Sequence, residues 1–128
     1  MIVVDAVYDG FIKAIEKNGG LLLNKSQTDH LINTHWHDGH LNRGMLAKDI
    51  DVVLKKLGFS DIASKDTKFL VAPASIIGSE APISGEKMAL FFALYRASDF
   101  FAAKSMARAI HDYQGRGHSL GLHSQKDD

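Results

Sequence analysis

The chain has 128 residues, of which 45% are hydrophobic, and this length supports one hydrophobic core but not two, so we expect a single domain over residues 1–128. Fifteen basic residues balance fifteen acidic ones without a dense run of Lys and Arg, which argues against a nucleic-acid partner and against recruitment by an anionic membrane. No apolar run is long enough to cross a bilayer and no signal-peptide pattern opens the chain, so the expected location is cytoplasmic.

The first predicted elements are a strand, a helix and a second strand. Residues 1–4 form a β-branched run that is typical of a short buried strand. Asp5 is the predicted N-cap of the helix, and Asn18 with the two glycines after it should end the helix. The apolar residues between these signals line one helical face: Val7, Phe11, Ala14 and Ile15. Residues 21–23 are then the second strand.

Two further helices are predicted in the next part of the chain. Ser26 is the expected cap of a weaker helix that runs to about Trp36, and a polar turn over residues 37–44 follows it. Apolar residues then recur at i, i+3, i+4 and i+7 before a terminating glycine. This spacing predicts a helix over Ile50–Leu57 that stops at Gly58.

The second half of the chain predicts strands that alternate with a helix. Residues 69–72 are a buried strand closed by Pro73, and residues 88–95 are an almost unbroken apolar run, as expected of a central strand. Ser98 is the predicted cap of the next helix, and residues 119–123 are the last strand. The helix should bury Phe100, Ala103, Met106, Ala107 and Ile110. We therefore expect an α/β fold, a mostly parallel sheet with helices on both faces.

A series of motifs resembles the CoA-acylating branch of the aldehyde dehydrogenase superfamily. In chain order they are IVVDAVYD at residues 2–9, DGHLN at 38–42, the helix end at Leu57-Gly58, GEKMALFFALY at 85–95, and GRGHS at 115–119 with His123-Ser124 after it. The resemblance implies that the chain is the C-terminal portion of the family's catalytic domain. One departure is Ala89-Leu90-Phe91, where the family has Ser-Pro-Val, and it implies a different path for this loop.

The same resemblance implies roles for individual residues. Glu86 would hydrogen-bond the nicotinamide ribose of NAD(P), and Met88 would lie beside the nicotinamide. Gly117, His118 and Ser119 would form a loop that lines the substrate and acyl-transfer side. The family converts an aldehyde, CoA and NAD to an acyl-CoA and NADH, so an aldehyde and CoA are the implied small-molecule partners, in a homo-oligomer.

The chain contains no cysteine, whereas the chemistry of this family runs through a cysteine thiolate. It also has no glycine-rich strand-to-helix turn for binding a nucleotide. We therefore expect a fragment of such an enzyme that is inactive alone and does not bind its cofactors tightly. A non-catalytic module that oligomerises through open sheet edges is the alternative.

A cluster of histidines permits a third hypothesis, a metal-dependent hydrolase with His35, His37 and His40 as ligands. The segment NTHWHDGH resembles the HxHxDH zinc loop of metallo-β-lactamase-fold hydrolases. In that loop an Asp directly precedes the last His, but Gly39 holds that place here and Asp38 comes one residue too early. The spacing therefore favours an ordinary turn without a metal.

Overall fold

The computed structural model describes residues 1–124 as a layered arrangement of short strands and helices. In chain order the elements are β1 (Ile2–Val4), α1 (Asp5–Lys17), β2 (Gly20–Leu22), α2 (Lys25–His35), β3 (Trp36–His37), β4 (His40–Leu41), α3 (Ile50–Leu57), β5 (Phe69–Pro73), β6 (Phe91–Ala97) and α4 (Phe100–Ile110). A 3₁₀ turn spans Pro82–Ser84, and a π-helical turn, His111–Gly115, continues α4. Within residues 1–124 we find no helix long and apolar enough to span a membrane.

Four strands form one parallel sheet in the order β1-β6-β5-β2. Ile2 lies opposite Tyr95 on one side of β6, and Leu70 lies opposite Phe91 on the other side. The predicted parallel sheet is therefore confirmed, and the strands predicted over residues 1–4, 69–72 and 88–95 are neighbours in it. The central strand begins at Phe91, three residues later than predicted, because Met88 adopts a left-handed conformation (φ 46°) that is incompatible with a strand.

Helices cover both faces of the sheet, as predicted. On one face, Tyr8, Phe11 and Ile12 of α1 pack against a buried cluster of strand and helix residues: Val3, Ile15, Val71 and Leu94. On the other face, α2, α3 and the second half of α4 enclose a larger core around Leu31, Val53 and Tyr95. Nε2 of His30 in α2 donates to the backbone oxygen of Leu57 (3.1 Å), which links α2 to the end of α3. Gly58 ends α3 with φ 68°, as its sequence position predicted.

All three predicted helix caps are wrong by one or two residues. The cap of α1 is Val4 rather than Asp5, because Asp5 already lies in the first turn of the helix. The cap of α2 is Asn24 rather than Ser26, and its side chain accepts from the backbone N–H of Gln27. The Gln27 side chain accepts from Asn24 N in return, which makes a reciprocal capping box. The cap of α4 is Asp99 rather than Ser98, because the Asp99 carboxylate accepts from Ala102 N at 2.8 Å.

The predicted strand over residues 119–123 is absent, so the βαβ unit expected at this end of the chain does not form within residues 1–124. The physical reason is that residues 119–123 are all exposed and pair with no strand among the described residues, so the segment has no sheet partner. Leu120 and Leu122 in this segment are both exposed. The predicted burial of Phe100 is also wrong: Phe100 is half exposed and Phe101 is 78% exposed, because α4 packs on the core through Met106 and Ile110.

A pair of glycine substitutions tests how tightly α1 and β2 pack. A Cβ on Gly20 would collide with Ile15 Cγ2 and lie 2.7 Å from Phe69 Cε2, whereas Gly10 has open space around its Cα and is exposed within α1. We expect Gly20→Ala to lower the free energy of unfolding by about 1–3 kcal/mol through overpacking. We expect Gly10→Ala to raise it by about 0.5–1 kcal/mol through helix propensity.

Urea unfolding of the two variants and the wild-type chain measures both effects under one condition. Equal stability of Gly20→Ala and the wild-type chain would contradict the close approach of α1 to β2.

Candidate functional site

The entry loop, residues 85–88, precedes the central strand and is held by three separate parts of the chain. Nε2 of His35, at the end of α2, lies 2.8 Å from the Lys87 backbone oxygen. The backbone N–H of Ala47 donates to Met88 O at 2.8 Å. The backbone N–H of Glu86 donates to Oε1 of Gln114 in the π-helical turn at 3.1 Å. These three contacts fix the backbone path of residues 85–88 at the amino-terminal end of β6.

The Glu86 carboxylate is exposed and is held by the backbone that follows it. Its Oε1 accepts from Lys87 N at 2.9 Å and from Met88 N at 3.1 Å. These two N–H groups hold the pKa of Glu86 below its ordinary value, and the charge of His118 contributes in the same direction. The loop therefore presents an ionised acceptor in a defined orientation.

Met88 leaves this loop with its side chain 59% exposed and with φ at 46°. A left-handed conformation is uncommon for a residue with a Cβ, and such conformations persist where the surroundings impose them. Here the Met88 N–H is bound by Glu86 and the Met88 carbonyl by Ala47. These two hydrogen bonds hold Met88 in this conformation, with its backbone N–H against the Glu86 carboxylate.

Lys87 is partly buried, whereas its neighbours Glu86 and Met88 are exposed. Its Nζ donates to the backbone oxygen of Gly85 at 2.6 Å, which closes the loop on itself. Burial lowers the pKa of Lys87, and the Glu86 charge opposes that change.

The turn of Gly117, His118 and Ser119 follows the π-helical turn that continues the carboxyl end of α4. His118 N donates to Gly115 O at 3.0 Å, and Gly117 adopts φ 93°, a conformation that glycine accommodates without strain. The charge of His118 contributes to lowering the pKa of the Glu86 carboxyl. The hydrogen bond from Glu86 N to Gln114 Oε1 brings the segment just before His118, which is 32 residues from Glu86 in the sequence, to the entry loop. Ser119 is exposed in the extended segment that follows.

The three histidines of the metal hypothesis do not converge. His35 is 0% exposed and its ring packs edge-on against Trp36 and Phe91, with ring centroids 4.6 and 4.9 Å away. His37 and His40 face each other across the exposed turn between β3 and β4. No group of three or more His, Asp or Glu side chains within residues 1–124 is arranged to hold a metal ion. His35 is instead a structural residue that supports the entry loop.

The protonation state of His35 follows from its contacts. Because a carbonyl oxygen only accepts, the Nε2 that binds Lys87 O carries the proton. Its Nδ1 is buried without a hydrogen-bond partner among the described residues. Burial lowers the pKa of His35, although the bond to Lys87 O opposes this change, so the neutral ring is the folded form.

A cleft of about 280 Å³ borders this region, lined by Trp36, Gly39, Ser79, Pro82, Tyr113 and Gln114. Gln114 therefore contributes both to the cleft and to the anchoring of Glu86. A larger hollow of about 370 Å³ lies on α3 and the segment after it and shares no residue with the entry loop. We assign the smaller cleft to the candidate site because it shares Gln114 with the contacts of the entry loop.

Sequence reasoning missed two residues of this site. Gln114 carries no sequence signal for its contact with Glu86, 28 positions earlier in the chain. The histidine pattern suggests His35 only as a metal ligand, whereas the structure shows it bound to a carbonyl 52 positions away. Gly85 gives the space for the Gln114 amide, since a Cβ there would collide with Gln114 Oε1, but a lone glycine in a loop does not indicate this from the sequence.

Comparisons with known proteins agree with this fold and its motifs. No protein-family model matches the chain. The chain is 33% identical over 124 residues to the acylating sulfoacetaldehyde dehydrogenase of Cupriavidus necator, a match that covers 97% of this chain and 25% of that enzyme. The crystal structure of an acetylating aldehyde dehydrogenase from Geobacillus thermoglucosidasius superposes with a TM-score of 0.91 at 24% identity, covering 98% of this chain and 27% of that one.

The fold is thus that of a segment of an aldehyde dehydrogenase. Within that superfamily, the chain matches the CoA-acylating branch, and the resemblance expected from its motifs is confirmed. The chain spans about a quarter of the length of the sulfoacetaldehyde dehydrogenase that it matches.

Two solved structures with this fold contain NADP⁺ or CoA. An engineered glycolyl-CoA reductase, 20% identical with a TM-score of 0.73, has bound NADP⁺. The propionaldehyde dehydrogenase of Rhodopseudomonas palustris, 19% identical with a TM-score of 0.71, has bound CoA and an acylated cysteine. At these identities the likeness to the present chain is one of fold.

Replacing His35 tests its role as a neutral anchor. We expect His35→Leu to lower the free energy of unfolding by about 1–3 kcal/mol, because the buried Lys87 carbonyl loses its donor. Because the folded pKa of His35 lies below the ordinary value of 6.5, the unfolded chain binds a proton first as the pH falls. Wild-type stability should therefore decrease as the pH drops from 6.5 toward the folded pKa.

His35→Gln is the matched control, since its amide can donate to Lys87 O but does not titrate. It should retain most of the stability at pH 8 and lose the His35 part of the decline below pH 6.5. Denaturant unfolding of the three proteins between pH 5 and 8 measures this difference. A decline of identical slope in His35→Gln would contradict the assignment.

Proposed function

We propose that the chain supplies the cofactor-facing and acyl-facing walls of the active site of an NAD(P)-dependent, CoA-acylating aldehyde dehydrogenase. The observation that carries this proposal is the ionised Glu86 carboxylate, held by two backbone N–H groups within electrostatic reach of His118. The 33% identity to an acylating sulfoacetaldehyde dehydrogenase supports it.

Glu86 would bind the nicotinamide ribose. A carboxylate accepts hydrogen bonds from two neighbouring hydroxyl groups, and such charge-assisted bonds are stronger than neutral ones. Only Oε1 is engaged by the Lys87 and Met88 backbone, so the carboxylate retains further acceptor capacity toward a ligand. Because the entry loop is anchored at three points, little ordering is required when the ribose binds.

Met88 would pack against the nicotinamide. Met88 is exposed, and its backbone is hydrogen-bonded on both sides of its Cα, to Glu86 Oε1 and to Ala47 N. A flexible, polarizable side chain suits contact with an aromatic ring.

The turn of Gly117, His118 and Ser119 would line the acyl-transfer side. His118 can donate or accept a proton near neutral pH, and its turn is braced by the bond from His118 N to Gly115 O. In this proposal NAD(P) accepts the hydride, CoA accepts the acyl group, and the residues named here bind and orient these reactants.

The nucleophile is not among these 128 residues, since the chain has no cysteine. A thioester on the enzyme forms only after a thiolate attacks the aldehyde, so these residues alone have no group that could carry the acyl chain. We therefore propose that the isolated chain binds cofactor weakly and does not turn over.

A nucleotide titration tests the binding role of Glu86. We expect NADP⁺ or NAD⁺ at millimolar concentration to shift the backbone NMR signals of residues 85–88. Glu86→Gln removes the charge and should weaken the apparent affinity by about 10-fold, in line with the loss of one charge-assisted hydrogen bond. Glu80→Gln, an exposed glutamate in the preceding loop, is the control and should leave the titration unchanged.

Identical titrations of Glu86→Gln and the wild-type chain would rule out the ribose contact. Production of NADH from an aldehyde, CoA and NAD⁺ by the purified 128-residue chain would overturn the proposal that it lacks turnover.

The second candidate function, a self-associating module, is favoured by one observation. Phe101 is 78% exposed at the start of α4 and its ring contacts that of Phe100, with centroids 6.2 Å apart. Exposed aromatic pairs of this kind are enriched at protein interfaces. The homo-oligomer expected from the family resemblance could use this surface.

Sedimentation velocity tests this second candidate. We expect the chain to associate at tens of micromolar and Phe101→Ser to weaken that association at least several-fold. Val52→Ser, an exposed apolar position on α3, is the control. A wild-type chain that remains monomeric at high concentration would exclude this function.

A further inference from the structure

The contact between Gln114 and the entry loop is unusual for two residues so far apart on the surface. Oε1 of Gln114 accepts from the Glu86 backbone N–H, although both residues are exposed. A solvent-exposed glutamine usually binds water instead, since fixing its side chain carries an entropic penalty. The contact therefore needs a local cause that holds the glutamine in place.

Gly85 makes the contact sterically possible, and the π-helical turn that carries Gln114 brings the amide to it. A Cβ on Gly85 would collide with Gln114 Oε1, and it would approach Tyr113 Cε1 to 3.2 Å. Only glycine leaves room for the glutamine amide to lie directly against the loop backbone. The φ of Gly85 is −92°, which any residue can adopt, so the requirement is one of space and not of backbone conformation.

The π-helical turn supplies the other half of the arrangement. After Ile110 the α-helical pattern widens over His111–Gly115, which changes the direction in which the side chains of that turn point. The same turn provides the carbonyl of Gly115 that accepts from His118 N. One short segment thus contacts Glu86 and also braces the turn that carries His118.

We propose that Gln114 is a positioning residue that sets the Glu86 carboxylate for the ribose and fixes its placement relative to His118. The ribose contact in this proposal rests on the proposed function. The placement of Glu86 by Gln114 does not, and it can be measured without any ligand.

Replacing Gln114 measures the contact directly. We expect Gln114→Ala to speed amide hydrogen exchange at Glu86 by about two- to tenfold, the range for one hydrogen bond. The pKa of the Glu86 carboxyl, followed by carbon-detected NMR, should rise toward its ordinary value as the Lys87 and Met88 N–H groups lose their fixed geometry. Gln114→Glu retains an acceptor oxygen and should restore the slow amide exchange.

Gly85→Ala should have the same effect by a different route, because the new methyl group displaces the glutamine amide. The double variant Gly85→Ala with Gln114→Ala should then exchange at Glu86 no faster than either single variant. Independent effects would multiply instead, so this non-additivity is the signature of one shared contact.

Asp112→Asn is the control for a general disturbance of the π-helical turn. Asp112 forms an exposed ion pair with Arg116 and does not contact the entry loop. This variant should leave Glu86 exchange unchanged. Thermal unfolding of every variant shows whether the fold is retained, and Gln114→Ala should unfold within a few degrees of the wild-type chain.

The outcomes separate the two proposals. Unchanged Glu86 exchange in Gln114→Ala, or an increase spread evenly over the whole chain, overturns the positioning role. A local increase at Glu86 together with no nucleotide binding by the wild-type chain supports the positioning role and overturns the ribose role. A local increase together with weaker NADP⁺ binding supports both.

Discussion

The hydrogen bond from His35 to the Lys87 carbonyl is the interaction that attaches the entry loop to the core. It joins the buried end of α2 to the loop that enters the central strand, and no other described side chain makes this link from within the core. The ring packs edge-on against Trp36 and Phe91, and these contacts restrict its orientation. The Lys87 carbonyl is placed by the core, and Glu86 and Met88 on either side of it are oriented accordingly.

The sheet and most helix bounds followed from local patterns. Ile50–Leu57 has every signal of a helix, with apolar spacing on one face and Gly58 at its end, and the structure has it at those bounds. The strand prediction at 119–123 failed because a strand needs a neighbouring strand to bond its backbone as well as a suitable local sequence. Residues 119–123 pair with no strand among the described residues and are exposed.

The site was harder to predict than the fold. Glu86 and His118 were found through the family resemblance, since a glutamate in a polar loop and a histidine between glycines have no distinctive pattern of their own. Ligand sites of open parallel sheets usually lie at the carboxyl ends of the strands. The entry loop lies at the amino end of β6, so a rule based on fold would have directed attention to the opposite edge. The contacts of His35 and Gln114 span 52 and 28 positions, which no local pattern encodes.

The bond between Glu86 and Gln114 also has a consequence for the order of folding. It closes a circuit that runs along β6, through α4 and back to the start of the strand. Such a closure gains nothing until both elements have formed and docked, so we expect it to form late in folding. By the same reasoning we expect it to open early in partial unfolding, before the central strand separates from its neighbours. The pocket would therefore lose its shape under mild stress while the sheet remains intact.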